Sequence, residues 1–274
     1  MNYYSFSILS LGIIILNSQC IQVKDVKTAT NSDLSISKMS KEDINSIIIQ
    51  DESVDLAYIM GKFDPTIDER FTIIPDSLAN RKGMYLRKEA FADFLKMYKA
   101  AKADGINLQI VSATRNFESQ KQIWERKWAD GAKKYSDEEL KTSQVRKTIA
   151  LKILEYSSMP STSRHHWGTD IDLNRLNNEW FLKDEGLKTY KWLQEQGSKY
   201  GFVQVYTAKG DERKTGYNEE KWHYTYLPLS SQYIRFAKKH LSDDKITGFE
   251  GADTAKDIVI VKNYVLGISK ACFQ

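Results

Sequence analysis

Residues 163–172 read Ser-Arg-His-His-Trp-Gly-Thr-Asp-Ile-Asp, a stretch in which two of the chain's four histidines precede a glycine and two aspartates. Gly168 permits a tight turn because it lacks a side chain that would restrict the backbone. Asp170 and Asp172 flank an isoleucine, an alternation that is typical of a strand whose successive side chains face opposite sides. The stretch therefore predicts a turn and then a strand over 168–173, which can bring a histidine and an aspartate to one point.

A second stretch, residues 219–223 (EEKWH), supplies another histidine beside two glutamates. A catalytic zinc needs three protein ligands and one open position, and imidazole nitrogens and carboxylate oxygens serve as such ligands. One of the two histidines before Gly168, one of the two aspartates and, as the natural third candidate, His223 would make a set of three. Glu220 lies three residues before His223, a spacing that can place its carboxylate near the metal without making it a ligand.

The composition is that of an ordinary soluble protein. The 274 residues include 40 Lys and Arg against 36 Asp and Glu, which gives a formal net charge of +4, and 41% of them are apolar. This mixture excludes a polytopic membrane protein, a collagen-like chain and a wholly disordered chain. Two cysteines exclude a disulfide scaffold and a cysteine-based zinc ribbon. No run of basic residues alternates with aromatic ones, so we expect no nucleic-acid partner.

The N-terminal segment predicts export. Residues 6–16 form an apolar run shorter than the ~20 residues needed to span a bilayer, and the polar NSQC follows it. This is typical of a secretory signal over residues 1–20, but no Lys or Arg precedes Lys24, which leaves a buried apolar segment as the alternative. Cys20 stands where a bacterial lipoprotein signal has its lipidated cysteine, which would anchor the protein to the membrane. Gln19 is a poor fit to that processing step, so an incidental cysteine is the other possibility.

After a polar tether predicted over residues 21–53, the chain mixes helical and strand-like patterns. Helices are predicted over 87–103, 116–133 and 184–200. A further helix is predicted after Ser136 and Glu139, which form a capping box. Strands are predicted over 106–112, 168–173 and 201–206. Three tryptophans at helical spacings are expected in the core: Trp124, Trp128 and Trp192. The mixture has no regular β-α-β rhythm and no internal repeat, which favours a single α+β domain over residues 54–274.

The two histidine-containing stretches resemble the zinc D,D-peptidase family, which includes VanY-type D-alanyl-D-alanine carboxypeptidases and VanX-type dipeptidases. The family pattern, S-x-H-x-x-G-x-x-x-D followed later by E-x-W-H, is matched by Ser163, His165, Gly168, Asp172, Glu220, Trp222 and His223. A third block, VSATRNFESQ, resembles the family's S-x-x-R-S-x-x-x-Q element, with Arg115 and Gln120 in the matching places. The resemblance covers roughly residues 60–240 and leaves the tether and the C-terminal tail with Cys272 unexplained.

The resemblance implies a hedgehog/D,D-peptidase-like fold, in which helices flank a small antiparallel sheet and a zinc ion (Zn²⁺) lies at the open face of that sheet. It implies that the metal ligands are His165, Asp172 and His223. Glu220 would be the general base, and Arg115 would bind the substrate and stabilise charge on the attacked carbonyl oxygen. The implied peptide-binding residues are Ser163 and Gln120, and Trp222 beside a ligand is expected either to line the substrate pocket or to belong to the core.

One position departs from the family pattern. Many members have a small residue where this chain has Asp170, and in a strand Asp170 and Asp172 would point to the same face. Spacing alone therefore leaves both aspartates as candidates; the family match selects Asp172, and Asp170 is expected to support a ligand from behind. Of the other histidines, His166 is expected to be a structural or wall residue and His240, late in a predicted helix, a surface residue.

The resemblance implies zinc-dependent hydrolysis of peptidoglycan stem peptide, with removal of the last residue from a peptide that ends in D-Ala-D-Ala. Such a substrate lies outside the cytoplasmic membrane, so we expect an exported monomer in the cell envelope. A dipeptidase or an endopeptidase could use the same site, since subsite shape decides which bond is cut. A non-catalytic, zinc-bearing wall-binding module is a further alternative, but it would have no need of Glu220.

We expect the mature protein to begin at or after Cys20 and to lie outside the cytoplasm, because an apolar run followed by a polar stretch is typical of an export signal. Cell fractionation combined with mass analysis of the N-terminus measures both properties. A soluble cytoplasmic species that keeps Met1 would contradict export, and an unmodified N-terminus beyond residue 20 would contradict lipidation alone.

Overall fold

The structure, a computed structural model, describes residues 54–273, so the predicted signal sequence with Cys20 and the predicted tether lie outside the described residues. Within this part of the chain, strands form two antiparallel sheets: β1 Phe71–Ile73, β2 Tyr85–Arg87, β3 Ile110–Ser112, β4 Asp170–Leu173, β5 Phe202–Gln204 and β6 His223–Tyr226. The α-helices are α1 Leu56–Ile59, α2 Lys88–Ala103, α3 Phe117–Ala132, α4 Ser143–Ile153, α5 Asp184–Gln196, α6 Leu227–His240 and α7 Ala255–Ile258. Short 3-10 turns complete several connections, among them Arg164–Trp167 before β4.

The central sheet has the strand order β3-β4-β6-β5, with every neighbouring pair antiparallel, while β1 and β2 form a separate ribbon. In its middle pair, Asp172 of β4 lies opposite His223 of β6, and Asp170 lies opposite Thr225. Because successive side chains of a strand face opposite sides, these four polar residues share one face of the sheet. Ile171, between the two aspartates, faces the other way.

The apolar face of this sheet packs against α2. Ile171 of β4 and Tyr224 of β6 join one buried cluster with Phe94 of α2. The helix predicted over 87–103 is confirmed, and it ends before Gly105, whose φ of +76° is a conformation that terminates helices. The burial of apolar side chains on this face thereby orients the alternate, polar side chains toward the other face.

The second core cluster is built largely from α3, α4, α6 and the segment that follows α6. The helix predicted over 116–133 is confirmed as α3, and the side chain of Asn116 caps it by accepting a hydrogen bond from the Ser119 amide (2.9 Å). Trp124 and Trp128 of α3 are buried in this cluster, as the helical spacing predicts. The third such residue, Trp192 of α5, is buried in the cluster on the opposite face of the sheet.

The C-terminal tail, which the family resemblance leaves unexplained, belongs to the second core cluster. The indole nitrogen of Trp124 donates to the Glu250 carbonyl (2.8 Å), and Arg146 of α4 forms ion pairs with Glu250 (2.8 Å) and Asp253 (2.6 Å). Cys272 is buried as a free thiol. The tail therefore ties α3 and α4 together.

The predicted capping box forms, but it does not begin the helix that it was expected to begin. The Ser136 amide donates to the Glu139 carboxylate (2.7 Å), and the two residues open the 3-10 turn Glu139–Lys141. The helix α4 starts later, with Thr142 as its own cap. The capping box is a local signal, so it identifies a helical turn without fixing how far the helix continues.

The strands are shorter than their sequence patterns predict. The strand expected over 106–112 is paired only from Ile110 onward. Before that point the side chain of Asn174 takes the place of a neighbouring strand, since it accepts from the Gln109 amide (3.2 Å) and donates to the Asn107 carbonyl (2.7 Å). The strands predicted over 168–173 and 201–206 are likewise shorter in the structure, where they correspond to β4 and β5.

The architecture confirms the α+β fold class, with a small antiparallel sheet flanked by helices. None of the helices between residues 54 and 273 is both long enough and apolar enough to cross a bilayer.

Substituting Gly168 should lower stability more than substituting another glycine of similar backbone conformation. Gly168 has a φ of +69°, and an added Cβ would lie 2.4 Å from Cε1 of Phe71. Gly83 has a φ of +73° but nothing within 4 Å. We expect Gly83→Ala to cost about 1 kcal/mol of unfolding free energy from backbone strain, and Gly168→Ala roughly 2–4 kcal/mol because crowding is added. Urea unfolding of both variants measures the difference, and equal losses would contradict it.

Candidate metal centre and active-site cleft

The three predicted ligands come from separate segments that the sheet brings together. His165 lies in the 3-10 turn Arg164–Trp167, which ends at Gly168 in the left-handed conformation that a glycine adopts without strain. Asp172 lies in β4, and His223 is the first residue of β6, directly opposite Asp172. All three side chains are buried.

The ligand atoms have the separations expected around one metal ion. Nε2 of His165 lies 3.3 Å from Oδ2 of Asp172, and Nδ1 of His223 lies 3.4 Å from Oδ1 of the same carboxylate. One ligand atom from each residue lies within 4.8 Å of the other two. Tetrahedral zinc with bonds of about 2.0–2.2 Å places neighbouring ligand atoms roughly 3.4 Å apart. The spacing therefore fits a small divalent cation.

Hydrogen bonds behind the two imidazoles orient the nitrogens that face the cluster. Nδ1 of His165 donates to the Ala113 carbonyl (2.8 Å), which leaves Nε2 toward Asp172. Nε2 of His223 donates to Asp170 (2.9 Å), which leaves Nδ1 toward Asp172 and Glu220. Oδ1 of Asp172 is buried and has no hydrogen-bond partner among the described residues. Such an unsatisfied carboxylate oxygen beside two imidazole nitrogens is what a cation site requires.

The geometry separates the two aspartates that spacing leaves as equal candidates. Asp170 accepts hydrogen bonds from Arg164 (2.9 Å), Thr225 (2.5 Å) and His223 (2.9 Å). Burial raises the pKa of Asp170, but the charge of Arg164 together with the hydrogen bond and charge of His223 outweighs it and holds the pKa well below its usual range. The carboxylate of Asp170 is thus fully engaged behind His223, whereas Asp172 faces the cluster.

Glu220 lies beside the candidate ligands without being part of their set. Its Oε2 is 3.0 Å from Nδ1 of His223, and its side chain is buried in the cleft. Burial raises the pKa of Glu220, and the hydrogen bond with His223 opposes that shift. The neighbouring Glu219 is instead paired with Lys221 (2.7 Å) and does not line the cleft.

Arg115 reaches the same cluster from the loop between β3 and α3. Its Nε donates to Oε1 of Gln120 (2.9 Å), its Nη1 donates to Ser112 (2.6 Å), and Nη1 also lies 4.0 Å from Asp172. The amide nitrogen of Gln120 donates in turn to the Ser158 carbonyl (2.8 Å). Both ends of the Gln120 amide are therefore used inside the protein, where they fix the guanidinium of Arg115.

Other residues singled out from the sequence lie apart from the cluster. His166 is buried with both nitrogens engaged, since Nδ1 donates to the Arg115 carbonyl (2.6 Å) and Nε2 accepts from the Ser161 amide (3.1 Å). Burial lowers its pKa to about 3, so it is a neutral structural residue. His240 is exposed at the end of α6. Ser163 is buried, its hydroxyl has no partner among residues 54–273, and it does not line the cleft.

The cluster opens into a cleft of about 670 Å³. Trp222 belongs to its wall, where Tyr156 packs against it with ring centroids 6.4 Å apart. Tyr156 and Leu176 are exposed apolar residues that line the same cleft. These two residues and Lys127 are absent from the sequence prediction. Lys127 could have been found, because it follows Gln120 by seven residues on one face of a predicted helix, but Tyr156 and Leu176 lie in loops with no motif.

Comparison with known proteins finds relatives among carboxypeptidases. The chain is 26% identical over 166 residues to a D-alanyl-D-alanine carboxypeptidase of Enterococcus faecalis (strain ATCC 700802 / V583), which covers 60% of this chain and 56% of that protein. It is 32% identical over 177 residues to YodJ of Bacillus subtilis (strain 168), a protein named as a carboxypeptidase, which covers 64% of this chain and 56% of that one. The chain thus spans little more than half the length of these relatives.

Among solved structures, a vancomycin-resistance D,D-pentapeptidase of VanY type in complex with Zn(II) matches with a TM-score of 0.45 and 23% identity, over 64% of this chain and 88% of that chain. The model of the VanY family, described as D-alanyl-D-alanine carboxypeptidase, matches residues 83–229, which is more than half of the sequence. These residues include the turn and the two strands that carry the candidate ligands, and also Glu220 and Arg115. The chain therefore belongs to the VanY D-alanyl-D-alanine carboxypeptidase family.

Proposed function

We propose that this protein is a zinc-dependent peptidase that removes the terminal D-alanine from peptidoglycan stem peptide ending in D-Ala-D-Ala. The observation that carries the proposal is the convergence of His165, Asp172 and His223, with one ligand atom from each inside a 4.8 Å cluster, directly beside Glu220. Membership of the VanY family supports the substrate class.

His165, Asp172 and His223 would hold the zinc ion through Nε2, a carboxylate oxygen and Nδ1. When bound, zinc supplies a Lewis acid that polarises a peptide carbonyl and makes water a better nucleophile at neutral pH. The protein contributes the fixed orientation of both imidazoles and a buried surrounding that strengthens electrostatic interactions.

Glu220 would act as the general base. Its carboxylate is buried next to His223 and faces the cleft, so it can accept a proton from the attacking water and later deliver that proton to the leaving amine. The alternative of a zinc-bearing binding module without activity gives this carboxylate no role, because Glu220 is not needed to complete the three candidate ligands.

Arg115 would donate to the carbonyl oxygen of the scissile bond as negative charge develops on it. Removing one such donor typically costs roughly 3 kcal/mol of transition-state stabilisation. Gln120 would act through Arg115 rather than on the peptide, since its amide is already engaged at both ends. Ser163 is buried, its hydroxyl has no partner among residues 54–273 and it does not line the cleft, so contact with substrate requires a shift of that turn.

The size of the cleft favours a carboxypeptidase over a dipeptidase. A volume of about 670 Å³ lies in the middle of the range of roughly 300–1,000 Å³ that suits ligands of drug size. The exposed Tyr156 and Leu176 extend the lining beyond the candidate catalytic residues, which provides contacts for stem residues on the acyl side of the bond. A dipeptidase would need no such extension.

The proposed substrate lies outside the cytoplasmic membrane, so we also propose that the protein works in the cell envelope. The apolar run over residues 6–16 supports export, and lipidation of Cys20 would keep the enzyme at the membrane surface.

The two aspartates should differ in their effect on metal binding. We expect Asp172→Asn to lose bound zinc, because an amide oxygen is a much poorer ligand than a carboxylate. The matched change Asp170→Asn should weaken zinc binding by about 10- to 100-fold without abolishing it, since it alters the contacts behind His223, among them the ion pair with Arg164, but removes no candidate ligand. Zinc content and chelator competition on the purified proteins measure both effects. A greater loss in Asp170→Asn would show that the wrong aspartate has been assigned.

Glu220→Gln should keep zinc and fold but lose most of its turnover, because glutamine preserves shape yet cannot accept a proton. General-base assistance is worth about 10²–10⁴-fold. Glu219→Gln is the control, since Glu219 does not line the cleft, and it should be nearly silent. Turnover of a peptide ending in D-Ala-D-Ala, with the products identified by mass spectrometry, measures both the rate and the bond cut. Wild-type turnover in Glu220→Gln would contradict the mechanism, and no turnover by the wild type would contradict the proposed function.

A further inference from the structure

The same face of α3 that holds Gln120 also brings a lysine to the active-site cleft. Gln120, Ile123 and Lys127 all line the cleft, at spacings of three and four residues that place them in one row along the helix. Side chains of a helix lean toward its N-terminus. Lys127 therefore leans back toward Gln120 and, through Gln120, toward Arg115.

The hydrogen bonds of Lys127 and Gln120 show that the two side chains end at the same loop. Nζ of Lys127 donates to the hydroxyl of Ser157 (2.5 Å), and the amide of Gln120 donates to the carbonyl of the next residue, Ser158 (2.8 Å). Both side chains thus reach adjacent residues of a single loop. The ammonium of Lys127 therefore ends at the same loop as the Gln120 amide, close enough for the charge of Arg115 to act on it.

Within the described part of the chain, no carboxylate lies within 4.0 Å of the Lys127 ammonium, which donates a hydrogen bond to the neutral hydroxyl of Ser157. Lys121, one helical turn after Phe117 on α3, is instead paired with Glu125 (3.9 Å). Burial lowers the pKa of Lys127, and the charge of Arg115 adds to this effect, whereas the charge of Glu220 opposes it. An ammonium that lines a cleft with no carboxylate in direct contact is suited to bind an anionic group of the ligand.

We propose that Lys127 binds the C-terminal carboxylate of the peptide and thereby makes the enzyme select chain ends. This inference rests on the proposed function of the same site. One residue spans about 3.5 Å, so the terminal carboxylate lies close to the scissile carbonyl when only one residue is to be removed. Arg115 then receives the carbonyl oxygen, and Lys127 receives the carboxylate that an internal peptide bond lacks.

The experiment measures binding rather than turnover. A peptide ending in D-Ala-D-Ala with a free carboxylate and the same peptide as its C-terminal amide are titrated into zinc-loaded Glu220→Gln protein by calorimetry. We expect the acid to bind roughly tenfold more tightly than the amide, as for a hydrogen bond between charged groups. Adding Lys127→Met should bring the acid-to-amide ratio close to one, and adding Lys127→Arg should restore most of it. Lys121→Met is the matched control and should keep the full ratio.

An unchanged ratio in the Lys127→Met background, or no preference for the acid in the parent protein, would overturn the proposal. A third peptide, in which an internal acidic residue is replaced by its amide, tests the other source of a carboxylate. If Lys127→Met weakens only the binding of peptides that carry the internal acid, the assignment to the terminal carboxylate is wrong. Because the readout is affinity, a protein that cleaves no peptide but still prefers the acid would contradict the proposed function and leave Lys127 as the carboxylate site.

Discussion

The antiparallel register of β4 and β6 is the constraint on which the rest of the site depends. It places Asp172 directly opposite His223 and, two residues along, Asp170 opposite Thr225. The side-chain period of a strand is two, so a slip of one residue would turn the polar set into the core and the apolar set toward the cleft. The burial of Ile171 and Tyr224 against α2 therefore holds the register, and with it the candidate metal centre.

A second layer of buried polar contacts supports this register. Arg164 pairs with Asp170 (2.9 Å), donates to Thr225 (2.9 Å), and lies with its guanidinium 4.5 Å from the ring of Trp167. Removing one partner of a fully buried ion pair leaves an uncompensated charge and typically costs about 3–5 kcal/mol. The network thus links the turn that carries His165 to the strands that carry the other two candidate ligands.

The cleft combines two kinds of surface that suit one peptide. Arg115 and Lys127 bring positive charge to one side, whereas Tyr156, Leu176 and Trp222 provide apolar and aromatic contact. A carboxyl-terminal peptide has the same two parts, a charged end and a less polar body. Helix α3 lies between the cleft and the core. One face of the helix contributes Lys127 to the cleft, and the other face buries Trp124 and Trp128 under the C-terminal tail. The tail therefore contributes to the site by holding this helix in place.

The amino-acid sequence by itself determined the α+β class, the major helices and the identity of the residues that converge. Apolar spacing in α2 and α3 and the alternation around Ile171 are local patterns, and local patterns are sufficient to predict elements. The motif match placed His165, Asp172, His223, Glu220 and Arg115 in one cleft because their order and spacing along the chain are shared with a known family. That match needed no knowledge of contacts.

The family match selected Asp172, but only the tertiary structure showed the physical difference between Asp170 and Asp172, since both lie on one face of a strand and differ in what surrounds them. It also showed that the tail after α6 belongs to the hydrophobic core. Both the oxygen and the nitrogen of the Gln120 amide proved to be hydrogen-bonded within the protein. Lys127, Tyr156 and Leu176 entered the cleft through the packing of a helix and two loops. Apart from the place of Lys127 on the Gln120 face of α3, which helical spacing could have indicated, each of these results depends on contacts that form only in the folded chain, and such contacts have no period or spacing that a linear pattern can carry.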